Sequence, residues 1–235
     1  MGRKKSLNWK YGICYLCEIK ASMTPERKLT KDHIPPECFA PEPLAAFTAT
    51  STSRFHYAFA CRACNKYYGD LENAFKNFML MGGEPDIQAT EDAWNEVVSE
   101  NETSILKYGM LSKTVRGLQK NMILVQPRTS TGIYLLPAAA LQISRNAEEL
   151  KAAIKIARGL HVVHTGEIIP QTYEMGVAFN EQIRYFDQLS PTYSRTDTDF
   201  FQYLGYTPSD NSKIGVWYMQ FFKGHTAMVW FRPKK

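Results

Sequence analysis

Cys14-Tyr15-Leu16-Cys17 and Cys61-Arg62-Ala63-Cys64-Asn65 are the two stretches on which the reading of this 235-residue chain turns. Each is a C-x-x-C knuckle, and 43 residues separate them. One knuckle can present two thiolates to a Zn²⁺ ion, and two knuckles complete a tetrahedral Cys₄ site. A disulfide pair or a redox C-x-x-C are the alternatives. Disulfides belong to oxidising compartments, and no hydrophobic stretch follows the basic first residues to suggest a leader. A redox motif needs one pair, set in a βαβ pattern that neither knuckle has. Structural zinc is the reading carried forward. Such a site is worth about 10–16 kcal/mol of folding free energy, which suits a small loop-rich module. Cys38 is left over and is expected to be a buried apolar residue.

Between the knuckles lie His33, in Lys31-Asp32-His33-Ile34-Pro35-Pro36, and His56, five residues before Cys61. Alternation at Phe55, Tyr57 and Phe59 predicts a strand running into the second knuckle. Leu71, Phe75 and Phe78 predict an amphipathic helix over 70–81, stopped by Gly82-Gly83. The module thus reads strand, loop, strand, knuckle, helix. A zinc clamp would bring Asp32 and His33 close to Asn65 at the start of the helix. Taken alone, Asp-His before a Pro-Pro step is ordinary turn chemistry.

This set resembles the HNH endonuclease family, whose ββα-metal motif runs C-x-x-C, then D-H-I-x-P, then a second C-x-x-C followed by Asn. Cys14, Cys17, Asp32, His33, Ile34, Pro35, Cys61, Cys64 and Asn65 carry the resemblance, which covers residues 12–80. The D-H-[IV]-P-P form is similar to that of small standalone bacterial and phage HNH proteins. The resemblance implies that His33 is the general base, that Asp32 and Asn65 hold a catalytic Mg²⁺ or Mn²⁺, that Zn²⁺ is structural, and that DNA is the substrate, with phage defence or restriction as a setting. The chemistry is consistent. A hard cation prefers oxygen ligands, and a His titrating near 6.5 can take a proton from water at neutral pH. The family carries a middle Asn nine residues before the last ligand. Here that place is His56, which can make an orienting hydrogen bond or join the ligands, so it is kept with His33 as a catalytic candidate.

The charge is uneven. Formal net charge is +5. Residues 1–66 hold 11 Lys and Arg against 5 Asp and Glu, whereas the rest of the chain holds 17 against 18. A local basic excess is the footprint of a phosphate-binding surface or of an ordinary solvated face. Arg54, Arg62 and Lys66 are the candidates for nucleic-acid contact, with plain exposed charges as the alternative. Glu72 and Asp70, on the next helical turn from Asn65, are expected to cap or solvate the helix, with a water-mediated contact to the metal as the alternative.

Composition narrows the class further. With 44% hydrophobic and 22% charged residues, the chain is neither disordered nor fibrous. Its longest apolar run, 132–143, is broken by Pro137 and falls below the roughly 18 apolar residues of a membrane helix. A cytoplasmic protein with no membrane segment is expected. The fold class expected is α+β: a zinc-stabilised module over 1–83 and a larger α+β domain over 84–235.

In that second part, helices are expected over 91–98, 104–118 and 147–158, the last capped by Asn146 and stopped by Gly159. Strands are expected at 122–125, 132–143, 160–164 and 174–179, and an aromatic hairpin over 214–231, turning around Lys223-Gly224. His161 and His164 have metal-like composition, but on a strand they would face opposite sides. The C-terminal aromatics suit a core, or stacking on unpaired bases. A homodimer through this part is a further expectation. Two functions compete: a metal-dependent DNA endonuclease, and a non-catalytic zinc module that binds nucleic acid or protein through a degenerate site. An RNA-directed nuclease is a third, weaker alternative.

Overall fold

The computed structural model describes residues 12–22, 24–40, 56–80, 86–93, 95, 122–125, 138–141, 147–179, 190–196, 198–208 and 214–234. Element order is β1 (Leu29–Ile34), β2 (His56–Cys61), α1 (Arg62–Leu80), β3 (Met122–Val125), β4 (Ala138–Leu141), α2 (Ala147–Thr165), β5 (Glu174–Phe179), β6 (Tyr193–Arg195), β7 (Phe201–Tyr206), β8 (Gly215–Phe221) and β9 (Thr226–Arg232). The class is mixed α+β, as expected. Among the described residues no helix is long and apolar enough to cross a membrane. The helix expected over 104–118, the turn between β3 and β4, the Asn146 cap and Arg54 lie outside the described residues.

The chain forms two compact units, Met1–Trp94 with Ala147–Lys235, and Asn95–Asn146. The structure therefore divides it elsewhere than after residue 83. In the smaller unit, β3 and β4 pair antiparallel from Met122↔Leu141 to Val125↔Ala138. In the larger, β1 and β2 form a hairpin, and α1 leaves it directly at Arg62, whose amide donates to the Lys28 carbonyl at 3.0 Å. The helix thus begins eight residues before the expected start at 70. Its first turns carry no apolar stripe because their faces serve Cys64, Asn65 and Tyr68 rather than a core. It is described as far as Leu80, and the stop expected at Gly82-Gly83 lies outside the described residues.

Five antiparallel strands make the C-terminal sheet, in the order β5-β9-β8-β7-β6. Strand β8 alternates strictly between buried and half-exposed positions, so Trp217, Met219 and Phe221 form one inward face. Tyr203, Val229 and Phe231 join them from the neighbouring strands. The β8–β9 hairpin lies where the sequence puts it. Its left-handed residues are Phe222 and Lys223, at φ 49° and 51°, rather than Gly224. Tertiary contact holds this arrangement: the Phe222 amide donates to the Phe200 carbonyl at 3.1 Å, and its ring stacks on Phe39.

Helix α2 contacts the hairpin, α1 and the sheet strands β5 and β9. It runs through Gly159 to Thr165, so the expected stop at 159 and strand at 160–164 are both corrected. The β-branched Val162 and Val163 suggest a strand, yet burial on several sides outweighs that local preference. Gly159 is there for close approach. A β-carbon on it would stand 2.2 Å from Ile34 Cδ1 and 2.7 Å from Cγ1.

Candidate functional site

The four knuckle cysteines converge. The sulfur atoms of Cys14, Cys17, Cys61 and Cys64 all lie within 4.8 Å of one another. Cys17 and Cys61 Sγ are 3.8 Å apart. Bonds of about 2.3 Å to a tetrahedral Zn²⁺ put its sulfurs roughly 3.8 Å apart, so this edge already has the length zinc needs. Local backbone builds the site. The first knuckle turns at Glu18, in a left-handed conformation with φ 59°, and the Glu18 amide donates to the Cys14 carbonyl at 2.9 Å. The Tyr15 amide donates to the Phe59 carbonyl at 3.1 Å, which sets this knuckle beside β2. The Cys14 thiol is pulled down to about 4 by a hydrogen bond from Cys64, against the effect of burial and with help from the amides of Cys17, Cys61 and Leu16. The same contact pushes Cys64 up. A thiolate beside three sulfur partners is a donor set suited to a metal ion such as zinc.

Beside this clamp opens a cleft of about 320 Å³, lined by Lys31, Asp32, His33, Glu37, Asn65 and Glu72 among others. Three of the sequence candidates, Asp32, His33 and Asn65, therefore line one cleft. Strand pairing and the helix start bring them together, across 32 residues of chain. Asn65 donates its amide nitrogen to Thr30 Oγ1 at 3.2 Å and to the Lys31 carbonyl at 3.3 Å. Its oxygen is then the atom with which it can hold a cation.

His33 pairs through Nδ1 with Glu37 Oε1 at 3.0 Å. A carboxylate on Nδ1 favours the tautomer with the proton there and leaves Nε2 as the basic nitrogen. Sequence reasoning missed Glu37, although its place four residues after His33, past the Pro35-Pro36 step, was a readable signal. Cys38 is half-buried and also lines the cleft, which corrects its expected place in a core.

Asp32 is 4% exposed. Tyr15 OH donates to its Oδ2 at 2.7 Å, and Lys155 Nζ donates to its Oδ1 at 2.7 Å. Lys155 also pairs with Glu72, so Glu72 is a buried ion-pair partner and not the solvated helix charge expected. Burial pushes the Lys155 ammonium down, and Asp32 holds it up. A carboxylate offers about four acceptor positions, so these two donors leave Asp32 able to accept from the cleft side. Asp32 and Asn65 thus offer the oxygen donors a hard divalent cation takes, and both line the cleft.

Helix α2 supplies the back of the site. Lys151, Lys155 and Arg158 fall at i, i+4 and i+7, on one helix face. Lys151 donates to Tyr67 OH at 3.1 Å, and Arg158 donates to the Leu16 carbonyl, inside the first knuckle, at 2.8 Å. Arg158 also holds the Ile169 carbonyl at 2.6 Å. The basic stripe was visible beside the apolar one in the sequence. Its partners, more than 120 residues away for Lys155 and Asp32, were not.

His56 lies elsewhere. The register places Tyr57 opposite His33 and puts His56 opposite Ile34. His56 Nε2 is 3.0 Å from Tyr203 OH, and His164 Nε2 is 2.8 Å from the same oxygen. His56 does not line the cleft. His161 and His164, now on a helix, share a face but go to the sheet: His161 meets Phe231 edge-on at 4.9 Å, and His164 stacks on Tyr193 at 4.7 Å. Of the basic candidates, Arg62 and Lys66 are exposed, one turn apart on α1. Lys31 is exposed as well and sits 5.1 Å over the Tyr57 ring.

No protein-family model, curated protein or solved structure matches the chain.

Proposed function

We propose that the chain is an HNH-type endonuclease that hydrolyses DNA phosphodiester bonds. The observation that carries this reading is the His33–Glu37 pair lining the same cleft as Asp32 and Asn65, next to a cluster of four cysteine sulfurs. His33 Nε2 takes a proton from water, while Glu37 on Nδ1 fixes the ring and offsets the imidazolium charge. Asp32 and Asn65 are the residues that would hold Mg²⁺ or Mn²⁺, which supplies charge neutralisation on the phosphorane and stabilises the leaving alkoxide. Exposed Lys31, Arg62 and Lys66 offer cations to the flanking phosphates.

Supercoiled plasmid tests the proposal. Nicking or cutting is expected with Mg²⁺ or Mn²⁺, none with EDTA, and loss of cleavage in His33→Ala. Full cleavage by His33→Ala removes the role given to His33. A second reading, a zinc module that binds nucleic acid without cutting it, draws on the turn of His56 towards Tyr203, away from the position opposite His33. It expects salt-sensitive binding with no strand scission under any divalent cation.

A further inference from the structure

Lys155 is fully buried, and its ammonium touches two carboxylates, Asp32 and Glu72. Both carboxylates line the cleft, whereas Lys155 does not. It therefore reaches them from behind, out of α2, with the Tyr68 ring centroid 5.9 Å from its nitrogen. One ammonium bridges both acidic groups, and each carboxylate keeps acceptor positions for the open side. A divalent cation arriving from the cleft would meet the same carboxylates and a fixed like charge directly behind them. In a buried setting such a charge acts at short range with little screening.

We propose that Lys155 is a built-in counter-ion that holds down the affinity of the Asp32–Glu72 pair for divalent cations. The proposal rests on the cation reading above, in which Asp32 and Asn65 hold the ion, and adds Glu72, which lines the same cleft and shares Lys155 with Asp32. With Lys155 present the carboxylates are satisfied without metal, and the cation is held loosely. Without it, a cation can take the place of the lost ammonium, because two buried carboxylates deprived of a bridging positive charge are costly.

Mn²⁺ binding to the zinc-loaded full chain tests this, read by calorimetry in the absence of DNA. Lys155→Met keeps most of the stem volume and removes the charge. Its Kd for Mn²⁺ is expected to fall at least about ten-fold. Lys155→Arg keeps the charge and is expected to stay within about three-fold of wild type. Adding Asp32→Asn to Lys155→Met is expected to abolish the gain. A Lys155→Met chain that is folded and binds Mn²⁺ no more tightly than wild type overturns the proposal. If Lys155→Met does not fold, millimolar Mn²⁺ is expected to restore its circular dichroism by binding the native state, and failure of that rescue overturns the proposal equally. Unchanged affinity would leave the nuclease reading standing, whereas tightened affinity in Lys155→Met together with no strand scission by the wild-type chain would sink the nuclease reading alone.

Discussion

Gly159 of α2 and Ile34 of β1 meet so closely that a β-carbon on the glycine would stand 2.2 Å from Ile34 Cδ1. Ile34 is fully buried and sits next to His33, so this contact sets how near the helix comes to the hairpin that carries the site. Alanine at 159 would gain up to about 1 kcal/mol of helix propensity. It would also overpack a stiff β-branched neighbour, at about 1–3 kcal/mol. Gly159→Ala is expected to lower unfolding free energy by about 1 kcal/mol net. Ile34→Val removes the Cδ1 atom and should relieve part of the clash, the γ-carbon at 2.7 Å remaining. A double-mutant cycle by urea denaturation is expected to return a favourable coupling, and strict additivity would remove the steric account.

The sulfur cluster predicts one equivalent of zinc per chain by elemental analysis. Cys14→Ser is expected to lose it and to unfold the N-terminal module, since a structural zinc contributes about 10–16 kcal/mol in small modules. Chelation of the wild type should lower Tm for the same reason. A metal-free Cys14→Ser chain with an unchanged Tm would overturn the structural role.

Glu37 is expected to act through His33. Glu37→Gln keeps the size and removes the charge that offsets an imidazolium on Nδ1. Plasmid cleavage is expected to drop about ten-fold in kcat with little change in KM, well short of the loss from His33→Ala, since a general base is worth about 100- to 10,000-fold. Zinc content should be unaltered in both. An effect confined to KM would place Glu37 in binding rather than in positioning the base.

His161 gives the fold an acid limit. Burial pushes it down to about 4, and the Glu167 charge opposes this only in part. Above pH 6.5 the ring is neutral in both the folded and the unfolded chain, and stability does not depend on it. Between pH 6.5 and 4 the unfolded chain takes up a proton that the folded chain refuses, so stability falls as pH falls, by about 3 kcal/mol across the window. His161→Leu removes that share of the loss. The difference in urea midpoint between the two chains is expected to widen from pH 7 to pH 4.5, with the zinc contribution common to both. A constant difference would show that His161 does not titrate in this way.

Local rules made much of this protein legible. Two C-x-x-C knuckles, an Asp-His step and a Cys64-Asn65 step are short-range patterns, and each carries its chemistry in residue type and spacing. The same holds for the strand at Glu174–Phe179 and for the β8–β9 hairpin, whose apolar, aromatic-rich runs flank Lys223-Gly224. What the sequence left undetermined depends on contacts across long stretches of chain. The stretch 160–164 reads as a strand from Val162 and Val163, yet it is helix, because α2 is buried against the hairpin, α1 and the sheet. His56 fits the family's middle position by counting residues, but strand register, fixed by paired backbone bonds, puts Tyr57 opposite His33 and gives His56 to Tyr203. Sequence alone therefore determined which residues could bind zinc, take a proton or hold a cation. Only the tertiary structure decided that Asp32 shares its charge with Lys155, because desolvating a lysine and two carboxylates together is a property of burial, and burial is written in no local pattern.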